Sequence, residues 1–136
     1  LTPKGFSEKS RLTAEYLKSS FSFYRSAKYD LTKIMEFCSK KKLFNIVLSD
    51  KSELAEIAII ISFNTNINLV GIIGNRSSKS INGIPIKKSI SSFKKFDAVI
   101  ITNIYDGKSR YKELSKEVST DKIIIPDVLK FRKRDI

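Results

Sequence analysis

Histidine and tryptophan are absent from this sequence of 136 residues, which also has only one cysteine and five glycines. The lack of histidine excludes His-based acid–base catalysis, nucleophiles paired with histidine, and most zinc sites. The single cysteine, Cys38, has no internal disulfide partner, which favours a reducing, cytoplasmic setting. No apolar run is long enough to span a bilayer, so no membrane partner is expected. We therefore expect neither an enzyme nor a metalloprotein.

The net charge of +12, from 26 basic and 14 acidic residues, raises the question of a nucleic-acid partner. Lysine supplies 20 of the basic residues, and residues 1–42 and 43–136 each carry a net charge of +6. Joint enrichment in Lys, Ile, Asn and Ser is also what an AT-rich genome produces without functional selection. A diffuse positive field steers an anionic partner towards the protein, but it identifies no binding face. The basic tail at residues 130–134 is typical of a solvated end, with a nucleic-acid or acidic partner as the alternative.

Residues 7–42 lack proline and glycine, and their apolar residues predict one long helix. The spacing of Leu17, Phe21, Tyr24, Leu31, Met35 and Cys38 alternates between four and three residues, as in a coiled coil, and Lys28 interrupts it once. Ser7 is a candidate N-cap, and the run of three lysines at 40–42 favours a helix end. This seam predicts a homodimer through residues 12–38, with packing on the chain's own downstream domain as the alternative. Cys38 is then a small core residue, or else a redox switch.

From Leu43 onward, short apolar runs alternate with helical stretches, which predicts a parallel sheet with helices on both faces. We expect strands at 44–48, 68–73, 98–102 and 122–125, and a short extended piece at 83–86. Helices are expected at 53–63 and 108–119, and a turn or two of helix at 89–95. The predicted fold class is α/β: a long N-terminal dimerisation helix followed by a small Rossmann-like sheet.

In such a sheet, ligands bind at the carboxyl ends of the strands, near the switch in strand order. The first strand is followed by Ser49, Asp50, Lys51 and Ser52, where a dinucleotide site has its glycine-rich turn, and none of these is glycine. The candidate ligand-binding residues at these strand ends are Ser49, Asp50, Lys51, Ser52, Gly74, Asn75, Arg76, Thr102 and Asn103. They are expected to bind a small anionic or nucleotide-like effector, or else to form a structural loop. No NAD-type cofactor is expected, because the acidic residue that holds a ribose is also missing after the second strand.

Other polar residues have simpler interpretations. Asp97 is expected to start a strand, Asp106 and Gly107 to form a turn, and Asp127 to serve as a turn or cap residue. No paired carboxylates, metal-ligand cluster or phosphate-binding loop is evident.

The N-terminal segment resembles the end of a MarR-type winged-helix regulator of the kind associated with exopolysaccharide gene clusters. The resemblance lies in Leu1-Thr2-Pro3-Lys4-Gly5, then Glu8-Lys9-Ser10-Arg11-Leu12-Thr13 and Tyr16-Leu17, and it covers about 25 residues. In that family a wing strand leads into the LTPKG turn, and the helix that follows carries the dimer contact. The resemblance implies that residues 1–42 form the end of the wing and the dimerisation helix. It also implies a helix-turn-helix upstream of Leu1, through which the protein contacts DNA.

Residues 43–136 resemble the Rossmann-like domains of exopolysaccharide and nucleotide-sugar proteins. The similarity extends over roughly 60 residues, through Ser49 to Ala58, Val70-Gly71-Ile72-Ile73-Gly74-Asn75 and Gly83-Ile84-Pro85-Ile86. The family's glycines and acidic residues are replaced here. This segment is then a Rossmann-like regulatory domain without the usual cofactor site.

Together these features predict the dimerising and regulatory or effector domain of a transcriptional regulator. The alternative is a nucleotide-binding fragment of a nucleotide-sugar or polysaccharide-biosynthesis enzyme. A third possibility is DNA binding by the basic surface of the chain itself.

Overall fold

A computed structural model describes the backbone of residues 3–75 and 80–135, and the side chains of these residues from position 20 onward. It contains three α-helices, six strands and four short 3-10 helices within these residues. In chain order these are α1 (Pro3–Lys40), β1 (Asn45–Leu48), α2 (Glu53–Ser62), β2 (Asn68–Ile73), β3 (Ser80–Ile81), β4 (Ile84–Lys87), β5 (Ala98–Ile100), α3 (Gly107–Leu114) and β6 (Ile123–Ile124). The 3-10 helices are Ile90–Ser92, Thr120–Lys122, Asp127–Leu129 and Lys133–Asp135.

The six strands form one mostly parallel sheet in the order β3-β4-β2-β1-β5-β6. Only β3 runs antiparallel, paired with β4. The chain moves outward from β1 through β2 to β4, and then returns to the other side of β1 for β5 and β6. This order is compatible with a Rossmann-like arrangement, in which the strand order reverses beside the first strand. The predicted mixed α/β class and largely parallel sheet are confirmed.

Alternate residues of the central strands supply two separate apolar cores. Ile46 and Leu48 of β1 and Ile100 of β5 point to the face that α1 and α2 cover. Val47 and Val99 point to the opposite face, which α3 and the C-terminal segment cover. Because successive strand residues face opposite sides, a sheet covered on both faces requires the unbroken apolar runs seen in the sequence.

The C-terminal part of α1 is fixed to the chain's own sheet. Ala27, Leu31, Met35 and Cys38 recur every three or four residues and are at most 1% exposed. They belong to the same apolar core as α2 and the strands β1, β2 and β5. Burial also raises the pKa of the Cys38 thiol to about 11, so that it stays protonated at neutral pH. From Ala27 onward the buried residues of α1 face the chain's own sheet, as the alternative interpretation expected, and the homodimer through residues 12–38 stays a prediction.

A hydrogen bond joins the C-terminal part of α1 to a segment near the end of the chain. The backbone N–H of Val128 donates to Oδ2 of Asp30 at 2.7 Å. The two residues are 98 positions apart in sequence. The 3-10 helix at Asp127–Leu129 therefore lies against α1, and its Val128 and Leu129 also pack on the α1 side of the core.

Lys42, two residues after the end of α1, has a left-handed conformation, with a φ of 60°. The N–H of Leu43 donates to the carbonyl of Cys38 at 2.8 Å, and the N–H of Lys42 donates to the carbonyl of Ser39 at 3.2 Å. These two bonds are those of a Schellman motif, which normally has glycine at this position. The helix end is therefore near the predicted lysine run. Its start differs, because α1 begins at Pro3, a favoured first position, and not after Ser7.

The other elements differ from expectation mainly at their ends. β5, β6 and α3 are shorter than predicted, and residues 89–95 contain only a single 3-10 turn. A hairpin between β3 and β4 was not predicted. Its two-residue loop is Asn82 and Gly83, both with positive φ, and an Asn-Gly pair is the usual signal for such a turn.

No helix in the described part of the chain combines the length and the apolar character needed to cross a bilayer.

Replacing Lys42 by glycine is expected to stabilise the protein, because glycine adopts the left-handed conformation without the Cβ penalty. The free energy of unfolding in urea should rise by about 1 kcal/mol. Lys41→Gly is the matched control. It makes the same change one residue earlier, where φ is not positive, and should bring no gain. Equal effects of the two variants would contradict this account of the helix end.

Candidate functional site

The carboxyl ends of β1 and β5 bring together five of the nine residues predicted from the sequence. β1 and β5 are adjacent parallel strands, with Leu48 opposite Ile100. The residues that follow them therefore meet at one edge of the sheet, where the strand order reverses. We call this group the polar cluster; it consists of Ser49, Asp50, Ser52, Thr102 and Asn103.

Ser49 is the centre of the polar cluster. Its hydroxyl donates to Oδ1 of Asn103 at 2.5 Å and accepts from the backbone N–H of Thr102 at 2.8 Å. Ser49, Thr102 and Asn103 are all buried. The amide of Asn103 in turn donates to Oδ1 of Asp106 at 3.2 Å. These bonds engage the Ser49 hydroxyl both as donor and as acceptor.

Thr102 closes the cluster from the β5 side. Its hydroxyl donates to the carbonyl of Asp50 at 2.7 Å, and accepts from the N–H of Asp50 at 2.9 Å. The carbonyl of Thr102 accepts from the hydroxyl of Ser52 at 2.6 Å. The two loops are thus joined by reciprocal bonds. No buried side-chain polar atom lacks a partner among the described residues.

The N-terminus of α2, where a Rossmann-like protein binds phosphate, is already capped by the chain itself. The hydroxyl of Ser52 accepts from the N–H of Ala55 at 3.2 Å. Glu53 and Glu56 occupy the first turn of the helix. Their carboxylates interact favourably with the positive end of the helix dipole and would repel a phosphate. The first loop is therefore poorly suited to a pyrophosphate.

The other predicted residues lie beside the cluster. A Cβ added at Gly74 would lie 4.0 Å from Cβ of Lys51, so the loop after β2 approaches the loop after β1. The backbone N–H of Gly74 donates to the carbonyl of Lys87 on β4. Lys51 and Asn75 are exposed, and Arg76 lies outside the described residues. The loops after β1 and β2 thus lie close together, and the ligand-binding role stays a prediction.

The environment of Asp50 is unfavourable to its charged form. Burial raises the pKa of this carboxyl, and the carboxylate of Asp106 raises it further. The guanidinium of Arg110 and the N–H of Lys51 oppose that shift without cancelling it. Asp50 is therefore a destabilised carboxylate at neutral pH.

An apolar groove lies next to the polar cluster and was not predicted. It encloses about 590 Å³ between α1, α2 and the loop that follows β5. The described residues that line it are Ser20, Phe23, Tyr24, Glu53, Glu56, Ile57, Ile60, Ile104 and Tyr105. We call it the α1–α2 groove. None of the nine predicted residues is among them. The signals for it were Tyr24 of the predicted helix seam, the neighbouring Phe23, and the three consecutive isoleucines of α2.

Asp97 and Asp127, two polar residues considered in the sequence, have structural roles. Oδ2 of Asp97 accepts from the backbone N–H of Asn45 at 2.9 Å, which ties the start of β5 to the start of β1. Asp127 opens a 3-10 helix. In the described part of the chain, no three side chains of the metal-binding types lie together. The hydroxyl and amide groups of the polar cluster could contact a cofactor only if they gave up bonds to each other.

No family model, no curated protein and no solved structure matches this chain.

Ser49→Ala is expected to destabilise the protein by roughly 2–4 kcal/mol, because it leaves the buried N–H of Thr102 and Oδ1 of Asn103 each without a partner. Urea denaturation would measure this loss. Ser115→Ala is the control, since the Ser115 hydroxyl donates to a backbone carbonyl at an exposed position. A Ser49 variant as stable as that control would show that the cluster does not hold the strand ends together.

Asp50→Asn is expected to raise stability at pH 7 and to have little effect near pH 3. The pKa of Asp50 is higher in the folded than in the unfolded chain. The stabilisation from its proton is therefore complete below pH 3.8, the ordinary value, and is lost as the pH rises through the folded pKa. Urea unfolding at several pH values would show that the free energy of unfolding of the variant exceeds that of the wild type by more as the pH rises. Glu117→Gln removes the same charge from an exposed site and should give no such trend. An Asp50→Asn variant less stable than the wild type at pH 7 would contradict the expected stabilisation.

Proposed function

We propose that this chain is the dimerising and regulatory part of a transcriptional regulator, with a DNA-reading winged helix ahead of residue 1. The observation that carries the proposal is α1, a single helix of 38 residues. Its C-terminal part is fixed to the sheet through Ala27, Leu31 and Met35, while large apolar side chains are exposed nearer its N-terminus. The resemblance of the N-terminal segment to winged-helix regulators supports this assignment.

The length of α1 favours a role outside its own domain. A helix of 38 residues is about 57 Å long at 1.5 Å per residue. A domain of roughly 100 residues has a radius of gyration of about 13 Å, so its diameter is far shorter. Part of α1 must therefore extend past the sheet. A second helix is an economical partner for such an extension.

Exposed aromatic residues mark the part of α1 that a second copy would cover. Phe21 is 56% exposed, and Tyr24, one turn later on the predicted seam, is 42% exposed. Both precede Ala27, where burial against the sheet begins. A contact limited to the part of α1 before Ala27 would join two subunits without disturbing either sheet. It would place two upstream DNA-binding domains at a fixed separation, as paired half-sites require.

The alternative function is the nucleotide-binding part of a nucleotide-sugar or polysaccharide-biosynthesis enzyme. The strand order favours it, because dinucleotide-binding sheets reverse their order beside the first strand in the same way. The capping of α2 by Ser52, and the carboxylates of Glu53 and Glu56 in its first turn, count against it. We therefore rank the enzyme second. A small effector that approaches the exposed loop at Lys51 and Asn75 is compatible with the first proposal.

The proposal predicts a dimer in solution at tens of micromolar, measured by analytical ultracentrifugation. Phe21→Glu should shift the chain towards monomer, because it places a charge in the helix contact. Tyr29→Glu is the control: Tyr29 is 64% exposed on the same helix but outside the seam, and its variant should remain dimeric. A wild-type chain that stays monomeric would contradict the dimer.

Two further measurements separate the classes of protein. Calorimetry with NAD, a nucleotide-sugar and coenzyme A should show no binding, whereas tight binding of NAD would favour the enzyme. The coding sequence ahead of Leu1 should contain a helix-turn-helix, and one without it would contradict the regulator.

A further inference from the structure

The α1–α2 groove is an apolar feature of the described surface that the chain leaves uncovered. Phe23 and Ile57 form part of its wall and also pack into the core below. Ile60 is 56% exposed and Tyr105 is 97% exposed. An isoleucine and a tyrosine so exposed in a cavity of about 590 Å³ are typical of a surface that binds another apolar element.

The same groove carries negative charge in a chain that is otherwise strongly basic. Glu53 and Glu56 line it from the first turn of α2 and are both exposed. The chain as a whole has a net charge of +12. An occupant that is apolar on one side and basic on the other would match both properties of the groove.

We propose that this groove binds residues 8–19 of helix α1 from a second copy of the chain. The inference rests on the proposed dimer and specifies where the two copies meet. The sequence of this segment, Glu8 to Ser19, includes Leu12 and Tyr16 four residues apart, the spacing with which a helix fills an apolar groove. It also contains Lys9, Arg11 and Lys18 against two glutamates, which gives it the positive charge that the groove attracts.

The segment from the same chain cannot reach the groove. α1 is one continuous helix from Pro3 to Lys40, so residue 12 lies about 18 Å along the helix axis from residue 24. The groove is lined by residues 20, 23 and 24 of that helix. Residues 8–19 therefore run away from the groove, and only a second copy can supply them there.

Two-fold symmetry makes the arrangement self-consistent. The incoming helix would lie antiparallel to α1 of the first copy, with residue 12 beside residue 24 and residue 16 beside residue 20. The axis would then pass near residue 18, and each copy would contribute one helix segment and one groove. The dimer would bury two equivalent contacts, and Tyr105 of each copy would cover the helix from the other.

The test is to compare two lysine substitutions on α2 in the full chain. Ile60→Lys places a positive charge inside the groove, where it would repel the basic segment and expose apolar surface. Phe63→Lys makes the same change three residues later, at a position that is 68% exposed and is not among the residues lining the groove. We expect Ile60→Lys to raise the dimer dissociation constant by roughly tenfold or more. Phe63→Lys should leave it unchanged, with both constants measured by sedimentation equilibrium.

Disulfide trapping would check the register independently. Cys38 is buried and its thiol is protonated at neutral pH, so an introduced cysteine would be the reactive one. An equimolar mixture of Leu12→Cys and Ile60→Cys chains should form a mixed disulfide on mild oxidation. A mixture of Leu12→Cys and Tyr29→Cys chains should not, because Tyr29 lies outside the groove.

The outcomes separate this inference from the proposed dimer. A monomeric wild-type chain contradicts both. A wild-type dimer that Ile60→Lys leaves intact, or one that gives no disulfide between positions 12 and 60, overturns the groove contact alone. A dimer weakened by Ile60→Lys and trapped in the mixed disulfide supports it.

Discussion

The packing of the last third of α1 on the sheet is the contact on which the rest of the structure depends. Ala27, Leu31, Met35 and Cys38 complete a core that α2 alone would leave partly open. This contact fixes the axis of a helix far longer than the domain. It therefore also fixes the direction in which the N-terminal part of α1 extends away from the sheet. A displacement of the sheet against α1 would therefore move whatever precedes the helix.

The sheet edge at β1 and β5 shows how a ligand-binding topology can be used for structure. In a dinucleotide site, backbone N–H groups at this edge remain available to a phosphate. Here the hydroxyls of Ser49, Ser52 and Thr102 occupy the donors and acceptors of both loops. The opening that remains lies to one side, between α1 and α2, and it is lined mostly by apolar residues. The edge of the sheet thus serves structure, and the open space lies among the helices that cover one face of it.

The sequence predicted the central strands well, because a sheet buried on both faces leaves a run of apolar residues without polar alternation. β2 was predicted with both of its ends, at Asn68 and Ile73. The predicted site residues do meet in space, since parallel strands bring their carboxyl ends to one edge. Their hydrogen bonding was not predictable, because it depends on the register between β1 and β5, which no local pattern encodes. The groove was missed for a related reason: Tyr24, Ile60 and Tyr105 are distant in sequence. The heptad spacing on α1 did predict the burial of Leu31, Met35 and Cys38, but could not distinguish a sheet from a second helix as the surface that covers them.

The bond between Asp30 and the N–H of Val128 has a consequence for how the protein is made. The helix leaves the ribosome before the sheet does, and the segment that bonds to Asp30 is synthesised 98 residues after it. Until the strands exist, the apolar stripe from Ala27 to Cys38 has nothing of its own to cover it, and a nascent chain would expose it throughout that interval. The free stripe would continue the exposed seam at Phe21 and Tyr24 in one line. If two copies pair as proposed, growing chains would meet through a longer surface than finished ones, and folding of the sheet would shorten that contact.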